Sequence, residues 1–399
     1  MTSHQPEIRH IANRAELEAV YDILGDVFPD GRDFFQKRLD HDSAYDLTTT
    51  WIAMQQGDIA STVQVFPFAS RIGDAAVKIG GIGSVATVPA YRGQRHCRQI
   101  LHNLSAWMEQ QEYDLSLLFA VINPFYEKAG WHTVPETMYE MRRADITSET
   151  SREYGIIPFD PSNTEVISGI YEQFNAGNAG TVIRPQVHWH DRLNWPKWQA
   201  SSCLLAVRNG VVVAYGHISE TAADGAAFLD ELCYAKGEDQ AAIPLFHALT
   251  KQRPEAERIW VNLPGDHALI ESLSSWGVAK KTLPYMMWKI IRFQPLLAKL
   301  APVFRRRLQS SGVFADVSLE IEWECDGKKA YFHYLNGEVA VEPNPRKGAE
   351  YLHIGLTQKQ FISLLLHGYG GSDVETRRYP VLEVLFPKQN FVFYLMDRF

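Results

Sequence analysis

The segment Ser84–Leu104, SVATVPAYRGQRHCRQILHNL, constrains the fold more than any other part of this chain of 399 residues. A strand pattern ends at a proline, passes through Arg92 and Gly93, and leads directly into a helix. The first turn of a helix carries free backbone N–H groups and a partial positive charge, and Arg95 and Arg98 add full charges there together with Arg92. This junction therefore predicts a loop that holds a pyrophosphate group.

The elements around this junction follow an order that occurs twice along the chain. Before it, a helix at 15–28 precedes a hairpin, and after it a buried strand runs through 115–121. From Ile157 onward, a helix, a hairpin with an Asn209-Gly210 turn, a strand, a helix and another strand repeat the order. The C-terminal part predicts further hairpins, one helix and two final strands. The fold class is therefore mixed α+β, with two similar domains and a smaller one.

Two motifs resemble those of the GNAT superfamily of acetyltransferases. Val88-Pro-Ala-Tyr-Arg-Gly93 resembles the start of its cofactor loop, and Asn123-Pro-Phe-Tyr-Glu-Lys-Ala-Gly-Trp131 resembles the segment that places a tyrosine near the thioester sulfur. The resemblance implies acetyl-CoA as co-substrate, with no metal. The cofactor-binding residues that it implies are Val85, Ala86, Thr87, Arg92, Gly93, Gln94, Arg95, His96, Cys97, Arg98 and Asn123. Arg95 and Cys97 depart from the family pattern, which has small residues at both positions.

The tyrosine of the second motif, Tyr126, suits the chemistry of acetyl transfer. When an amine attacks the acetyl carbonyl, CoA leaves as a thiolate that needs a proton. A thiol has a pKa of roughly 8.5 and a tyrosine of roughly 10, so the phenol can donate that proton as a general acid. Backbone N–H groups near Val85–Thr87 would polarise the carbonyl oxygen.

The order of domains resembles the enhanced-intracellular-survival (Eis) family. The resemblance implies a catalytic GNAT domain at 1–150, a degenerate second GNAT domain at 151–293, and a sterol-carrier-like domain at 294–399. In that family the chain's own terminal carboxylate is the general base, which implies Phe399 here. Arg398 departs from an acidic site by adding a positive charge, for which Asp397 and Asp26 are candidate compensating groups. The family also implies aminoglycosides or lysine side chains as acceptors and a homo-hexamer.

The composition disfavours several other classes of protein. The formal net charge of −8 disfavours nucleic-acid binding. Four cysteines lie far apart without metal spacing, and no apolar run approaches the roughly 20 residues of a membrane helix, which predicts a reduced, cytoplasmic chain. His188-x-His190-Asp191 is interpreted as part of a packed helix rather than a metal site. The alternatives are a carrier with an apolar cavity in residues 300–399, or an acyl- or aminoacyltransferase of the double-GNAT type.

Overall fold

The computed structural model describes residues 5–147, 153–371, 374 and 379–399. The predicted boundary between the first and second domains, at 150, lies outside the described residues. In the first part of the chain the elements are β1 (Glu7–His10), α1 (Arg14–Val27), α2 (Arg32–Asp40), β2 (Thr50–Gln55), β3 (Asp58–Ile72), β4 (Ala75–Thr87), α3 (His96–Gln110), β5 (Leu115–Phe119), α4 (Asn123–Glu127), β6 (His132–Thr133) and β7 (Glu136–Arg142).

The second part repeats this order. Its elements are β8 (Gly155–Pro158), α5 (Thr164–Asn175), β9 (Val182–Ile183), α6 (Gln186–Arg192), β10 (Cys203–Arg208), β11 (Val211–Ile218), β12 (Ala226–Tyr234), α7 (Ala242–Lys251), β13 (Arg258–Val261), α8 (Leu269–Ser275) and β14 (Ala279–Leu283). The third part contains β15 (Met286–Ile290), α9 (Phe293–Gln309), β16 (Leu319–Cys325), β17 (Lys328–Leu335), β18 (Glu338–Glu342), β19 (Leu352–Leu356), α10 (Gln358–His367) and α11 (Val381–Leu385).

The two larger sheets have the same order of strands along their main path. The first sheet takes β15 from later in the chain, with β9 also paired to β3 at its side, and the second sheet takes β7 from earlier in the chain. The first sheet runs β1-β2-β3-β4-β5-β15-β6, and the second runs β8-β10-β11-β12-β13-β7-β14. Among the described strands of these two sheets, the parallel pairs are β4–β5 and β12–β13, at equivalent places. β7 follows the first sheet in the chain but pairs in the second, and β15 does the reverse. The predicted boundaries at 150 and 293 stay predictions, and this reciprocal exchange ties the two halves together across them.

Helices cover both faces of the first sheet, and successive side chains of each strand point to one face and then to the other. On β2, Trp51 and Ala53 join the core beneath α3, whereas Ile52 joins the core beneath α1 and α2. This alternation is what a strand with a period of two residues produces when both faces are covered. The mixed α+β class is confirmed.

The third part is built on a four-stranded sheet in the order β18-β17-β16-β19. Its apolar side chains, with those of α9, α10 and α11, form one core that is continuous with β5 and β15 of the first sheet. The sterol-carrier-like identity of this part stays a prediction. None of the helices in the described ranges combines the length and apolar character needed to cross a membrane.

The prediction of two final strands is wrong. Residues 381–385 form the short helix α11, and the segment 391–399 is extended, with one isolated bridge between Phe391 and Ala179 and a single 3-10 turn at Leu395–Asp397. Successive side chains of this terminal segment point into two different cores. Phe393 packs against the first and third parts, whereas Val392 and Tyr394 pack against the second part. The apolar tail is buried, but it fills the space between existing cores instead of extending a sheet.

Candidate active site

The strands β4 and β5 separate at one end of the first sheet. Their parallel pairing ends at Ile82 and Leu118, although β4 continues to Thr87. A register shift against β3 and a positive φ of 50° at Ser84 bend β4 at the same point. A bulge of this kind disrupts the hydrogen bonds between the strands locally and costs free energy, and it bends the strand that contains it. The edge of β4 beyond Ile82 consequently borders an opening rather than β5.

A first cavity, of about 220 Å³, lies between the end of β4 and the start of α3. We name it the phosphate cavity, and its lining residues are Thr87, Tyr91, Arg92, Gly93, Arg95, His96, Cys97, Arg98 and Phe125. Both ring nitrogens of His96 and Nε of Arg98 are buried without a hydrogen-bond partner among the described residues. Buried polar atoms without partners are rare in folded proteins, so these atoms and the helix N-terminus fit an anionic ligand such as a pyrophosphate.

The structure brings together most of the residues predicted to bind the cofactor, but not all. Val85 lines a neighbouring cavity, whereas Ala86 is buried in the core beneath α1. Gln94 is exposed in the loop and is not among the residues that line the phosphate cavity. Asn123 donates its amide hydrogens to Thr133 Oγ1 and to the carbonyl oxygen of Pro284, both at 2.7 Å. Its amide group therefore fastens α4 to neighbouring segments and does not line either cavity.

Arg95 precedes α3 in a left-handed conformation, with φ 69° and ψ 16°. This conformation explains why a small residue is the family pattern there, because a Cβ in the left-handed region costs roughly 1–2 kcal/mol. With Arg95 at this position the loop has the left-handed conformation and the cavity gains a cation, but the backbone strain remains.

We expect Arg95→Gly to raise the free energy of unfolding by about 1 kcal/mol relative to Arg95→Ala. Both variants lose the same charge, and only the glycine relieves the strain of a Cβ in the left-handed region. Chemical denaturation of the two variants measures this difference. An alanine variant as stable as the glycine variant would contradict the account of strain.

A second cavity, of about 440 Å³, lies where β4 and β5 separate. We name it the acceptor cavity. It contains Tyr126, Phe399, the β4 residues Gly83, Ser84 and Val85, and side chains from α2 and from the segment 195–197. The two residues predicted to be catalytic therefore line one cavity, which shares the end of β4 with the phosphate cavity.

Tyr126 enters this cavity from α4, the short helix that follows β5. Burial, with a smaller effect of Cys97, raises the pKa of its hydroxyl to about 12. None of the described residues forms a hydrogen bond to that hydroxyl group. The phenol is consequently protonated at neutral pH and available to a ligand in the cavity.

Phe399 places its aromatic ring and the terminal carboxyl group against β4. The ring stacks on Phe66 with centroids 5.2 Å apart, and a Cβ added at Gly81 would overlap it. The carboxyl carbon lies 3.5 Å from the position that a Cβ would take on Gly83. Glycine at these two positions of β4 allows the terminus to approach the strand backbone.

Asp397 fixes the terminal segment to the second part of the chain. Its carboxylate accepts hydrogen bonds from Arg184 at 2.7 and 3.0 Å and from Arg192 at 2.5 Å. Arg184 also pairs with Glu231. The side chains of Arg184, Glu231 and Asp397 are at most 2% exposed. Burial opposes ionisation of Asp397, but the two arginines outweigh it and lower the pKa of this carboxyl group.

The predicted conflict at Arg398 is resolved by a residue outside the terminal segment. Arg398 donates to Glu136 at 2.5 Å and lies over the ring of Phe119 at 4.6 Å. Burial raises the pKa of Glu136 and lowers that of Arg398, in each case against the effect of the partner. Asp397 binds the two arginines instead, and Asp26 is exposed on α1 and is not among the lining residues. Glu136 is therefore the group that compensates the charge of Arg398.

Sequence analysis missed the charged residues that the second part of the chain and α2 contribute to the acceptor cavity. Arg38 and Lys197 both line it. No sequence motif marks Lys197, and the tryptophans on either side of it, Trp195 and Trp198, are buried. Trp195 Nε1 donates to the carbonyl oxygen of His41 at 3.1 Å, which attaches this segment to the end of α2.

Comparison with known proteins agrees with this geometry. A family model of the GNAT acetyltransferase domain matches residues 7–134, which include α3, both sides of the strand separation and Tyr126. Residues 7–134, about a third of the chain, are thus similar to a GNAT acetyltransferase domain. The prediction of an acyl-CoA-dependent N-acetyltransferase is confirmed at this level. No curated protein matches the chain significantly.

Solved structures share the fold over the whole GNAT-containing chain. A probable N-acyltransferase from Enterococcus faecalis V583 has a TM-score of 0.74 at 19% identity, covering 99% of this chain and all of that one. A GCN5-related N-acetyltransferase from Anabaena variabilis has a TM-score of 0.72 at 15% identity, with coverage of 99% and 100%. Eis1 from Mycobacterium abscessus has a TM-score of 0.64 at 14% identity, with coverage of 98% and 100%. The predicted Eis-like overall fold is confirmed.

Proposed function

We propose that this GNAT protein transfers the acetyl group of acetyl-CoA to a primary amine by direct attack. The proposal rests on one observation above all: Tyr126 and the terminal residue Phe399 line the same cavity, at the opening between β4 and β5. The adjoining phosphate cavity offers a helix N-terminus and unpartnered polar atoms to the pyrophosphate. Acetyl-CoA supplies the acetyl group as a thioester.

The residues of the chain account for each proton in this reaction. The amine nitrogen forms a bond to the acetyl carbon, and the bond from that carbon to sulfur breaks. The carboxylate of Phe399 takes the proton that the amine loses, directly or through water, while Tyr126 donates its hydroxyl proton to the sulfur. Return of the proton from the carboxyl group to the tyrosinate through water restores both groups. Backbone N–H groups of β4 near Val85–Thr87 stabilise the developing negative charge on the carbonyl oxygen.

The surroundings of Cys97 favour direct attack over an acetylated cysteine. Its Sγ lies 3.1 Å from Thr87 Oγ1 and 3.4 Å from Ser61 Oγ, and the residue is 8% exposed. The hydrogen-bond partners of this buried thiol among the described residues are Ser61, Thr87 and the carbonyl oxygen of Ala86, so no adjacent base is placed to remove its proton. Cys97 also lines the phosphate cavity, and within this proposal its part in cofactor binding is to support the loop there.

The terminal base is tested by adding one glycine after Phe399. The added residue keeps the ring of Phe399 and moves the carboxylate by about 3.5 Å. We expect kcat for thiol release from acetyl-CoA, measured with a panel of primary amines, to fall by about 10²–10⁴-fold. Calorimetric affinity for CoA serves as the control, because the phosphate cavity is untouched. Full activity of the extended chain would remove Phe399 from the mechanism.

The proposal also includes the kind of acceptor and the oligomeric state. The resemblance implies aminoglycosides or lysine side chains as acceptors and a hexamer as the assembly. The panel therefore includes an aminoglycoside and a lysine peptide, and sedimentation measures the assembly. A longer acyl-CoA preferred over acetyl-CoA would instead favour the acyltransferase alternative.

A further inference from the structure

Three aromatic rings of the acceptor cavity already have arginine side chains above them. Phe66 and Trp195 lie beneath the guanidinium group of Arg38, at 5.0 and 3.6 Å, and Phe119 lies beneath that of Arg398 at 4.6 Å. A ring attracts a cation through its face, and one face of each of these three rings is occupied by the chain's own arginines. These three rings thus offer apolar contact to an acceptor, and less attraction for a second or third positive charge.

The charges that line this cavity are unequal in number and in pairing. Arg38, Lys197 and Arg398 are the cations, and Asp30 and the terminal carboxylate are the acids. Arg38 pairs with Asp42 at 2.6 Å and Arg398 pairs with Glu136, and neither of these acids is among the lining residues. The charges of Arg38 and Arg398 are consequently neutralised by acids that lie outside the lining of the cavity.

Lys197 differs from the two arginines because no ion pair or hydrogen bond joins its ammonium group to a described residue. The residue is exposed at the cavity, and burial of its ammonium group lowers the pKa of that group, whereas the more distant charges of Asp230 and Asp30 raise it and those of Arg398 and Arg38 lower it. The nearby Asp230 accepts from His217 at 2.8 Å instead. An unpaired ammonium group beside apolar walls is suited to an anionic group of a ligand.

We propose that the acceptor is an amine with an apolar or aromatic body and one acidic group, which pairs with Lys197 while the amine faces the terminal carboxylate. This inference rests on the proposed acetyl transfer and replaces a polycationic acceptor with a zwitterionic one. Each charge of such an acceptor meets an opposite charge that is free in the cavity, and its body meets the aromatic walls. A polycation would bring several charges to a cavity in which only Asp30 and the terminal carboxylate are available.

The test compares acids with their own amides as acceptors. L-phenylalanine and 4-(aminomethyl)benzoic acid present two separations between amine and carboxylate, and the corresponding amides keep the same body without the charge. We expect kcat/KM to favour at least one acid over its amide by about fivefold, the upper end of what a solvent-exposed ion pair contributes. This ratio should fall toward one in Lys197→Met and survive in Lys197→Arg. Lys37→Met, the same change on the exposed side of α2, is the matched control.

The outcomes separate this inference from the proposed function. Acetylation of an amide or an aminoglycoside in preference to both acids, or an acid-to-amide ratio that Lys197→Met leaves intact, would overturn the acceptor assignment and keep acetyl transfer. Absence of thiol release with every amine, together with absence of acetyl-CoA binding by calorimetry, would overturn the proposed function itself.

Discussion

Tyr126→Phe is expected to lower kcat for acetyl transfer by about 10²–10⁴-fold, the range that a positioned general acid contributes. Phenylalanine fills the same buried space in α4 but has no proton for the departing thiolate. The affinity for acetyl-CoA should change by less than about threefold, because a hydroxyl without a partner contributes little to binding of the ground state. Single-turnover thiol release gives the chemical step, and calorimetry gives the affinity.

The control for this variant is Tyr113→Phe. Tyr113 belongs to the same core, and burial raises the pKa of its hydroxyl to about 12, as for Tyr126, but it lines neither the phosphate cavity nor the acceptor cavity. Its loss should leave kcat within about twofold of the wild type. Equal losses of activity in the two variants would attribute the effect to the core rather than to the acid.

The pH profile of the wild type gives a second readout. Burial favours the neutral phenol, so the pKa of Tyr126 lies above its ordinary value and the acid stays protonated until the pH approaches about 12. The rate should therefore rise with pH as the acceptor amine loses its proton, without a decline near pH 10. A decline centred near 10 would mean that the phenol titrates as it does in water.

The parts that sequence analysis predicted correctly depend on neighbours in the chain. The Asn209-Gly210 turn has positive φ at both residues, 52° and 79°, as a two-residue hairpin turn requires. The helix after Arg92 and Gly93 begins at His96 because the loop residues, one of them left-handed, reverse the chain there. Few residue types adopt the backbone conformations of such turns and loops, so the residues found there indicate the structure.

The parts that it missed depend on distant residues. The exchange of β7 and β15 leaves no mark in either strand, because an apolar strand fits either sheet equally well by its own pattern. The final segment was predicted as a strand because it is apolar almost to its last residue, and such a run indicates burial without indicating which neighbours bury it. Arg184 and Arg192 reach Asp397 across more than 200 positions of sequence. Only the folded chain brings these groups together.

Arg184→Met is expected to have the largest effect on stability. It removes the guanidinium group that lies between Glu231 and Asp397, so among the described residues buried Glu231 loses its ion-pair partner and Asp397 keeps Arg192. Breaking a buried pair from one side costs roughly 3–5 kcal/mol, because the abandoned charge cannot return to water. Denaturant unfolding should show a loss of this size.

The same variant should also lower kcat, although Arg184 does not line the acceptor cavity. Asp397 anchors the terminal segment two residues before the carboxylate of Phe399, so a loosened anchor displaces the proposed base. Assays well below the unfolding temperature keep the protein folded and separate this effect from loss of stability. Arg208→Met is the matched control, since Arg208 also pairs with two carboxylates, Glu153 and Glu238, but is 35% exposed. If Arg184→Met lost stability yet kept the wild-type kcat, the buried network would hold the fold without positioning the terminus.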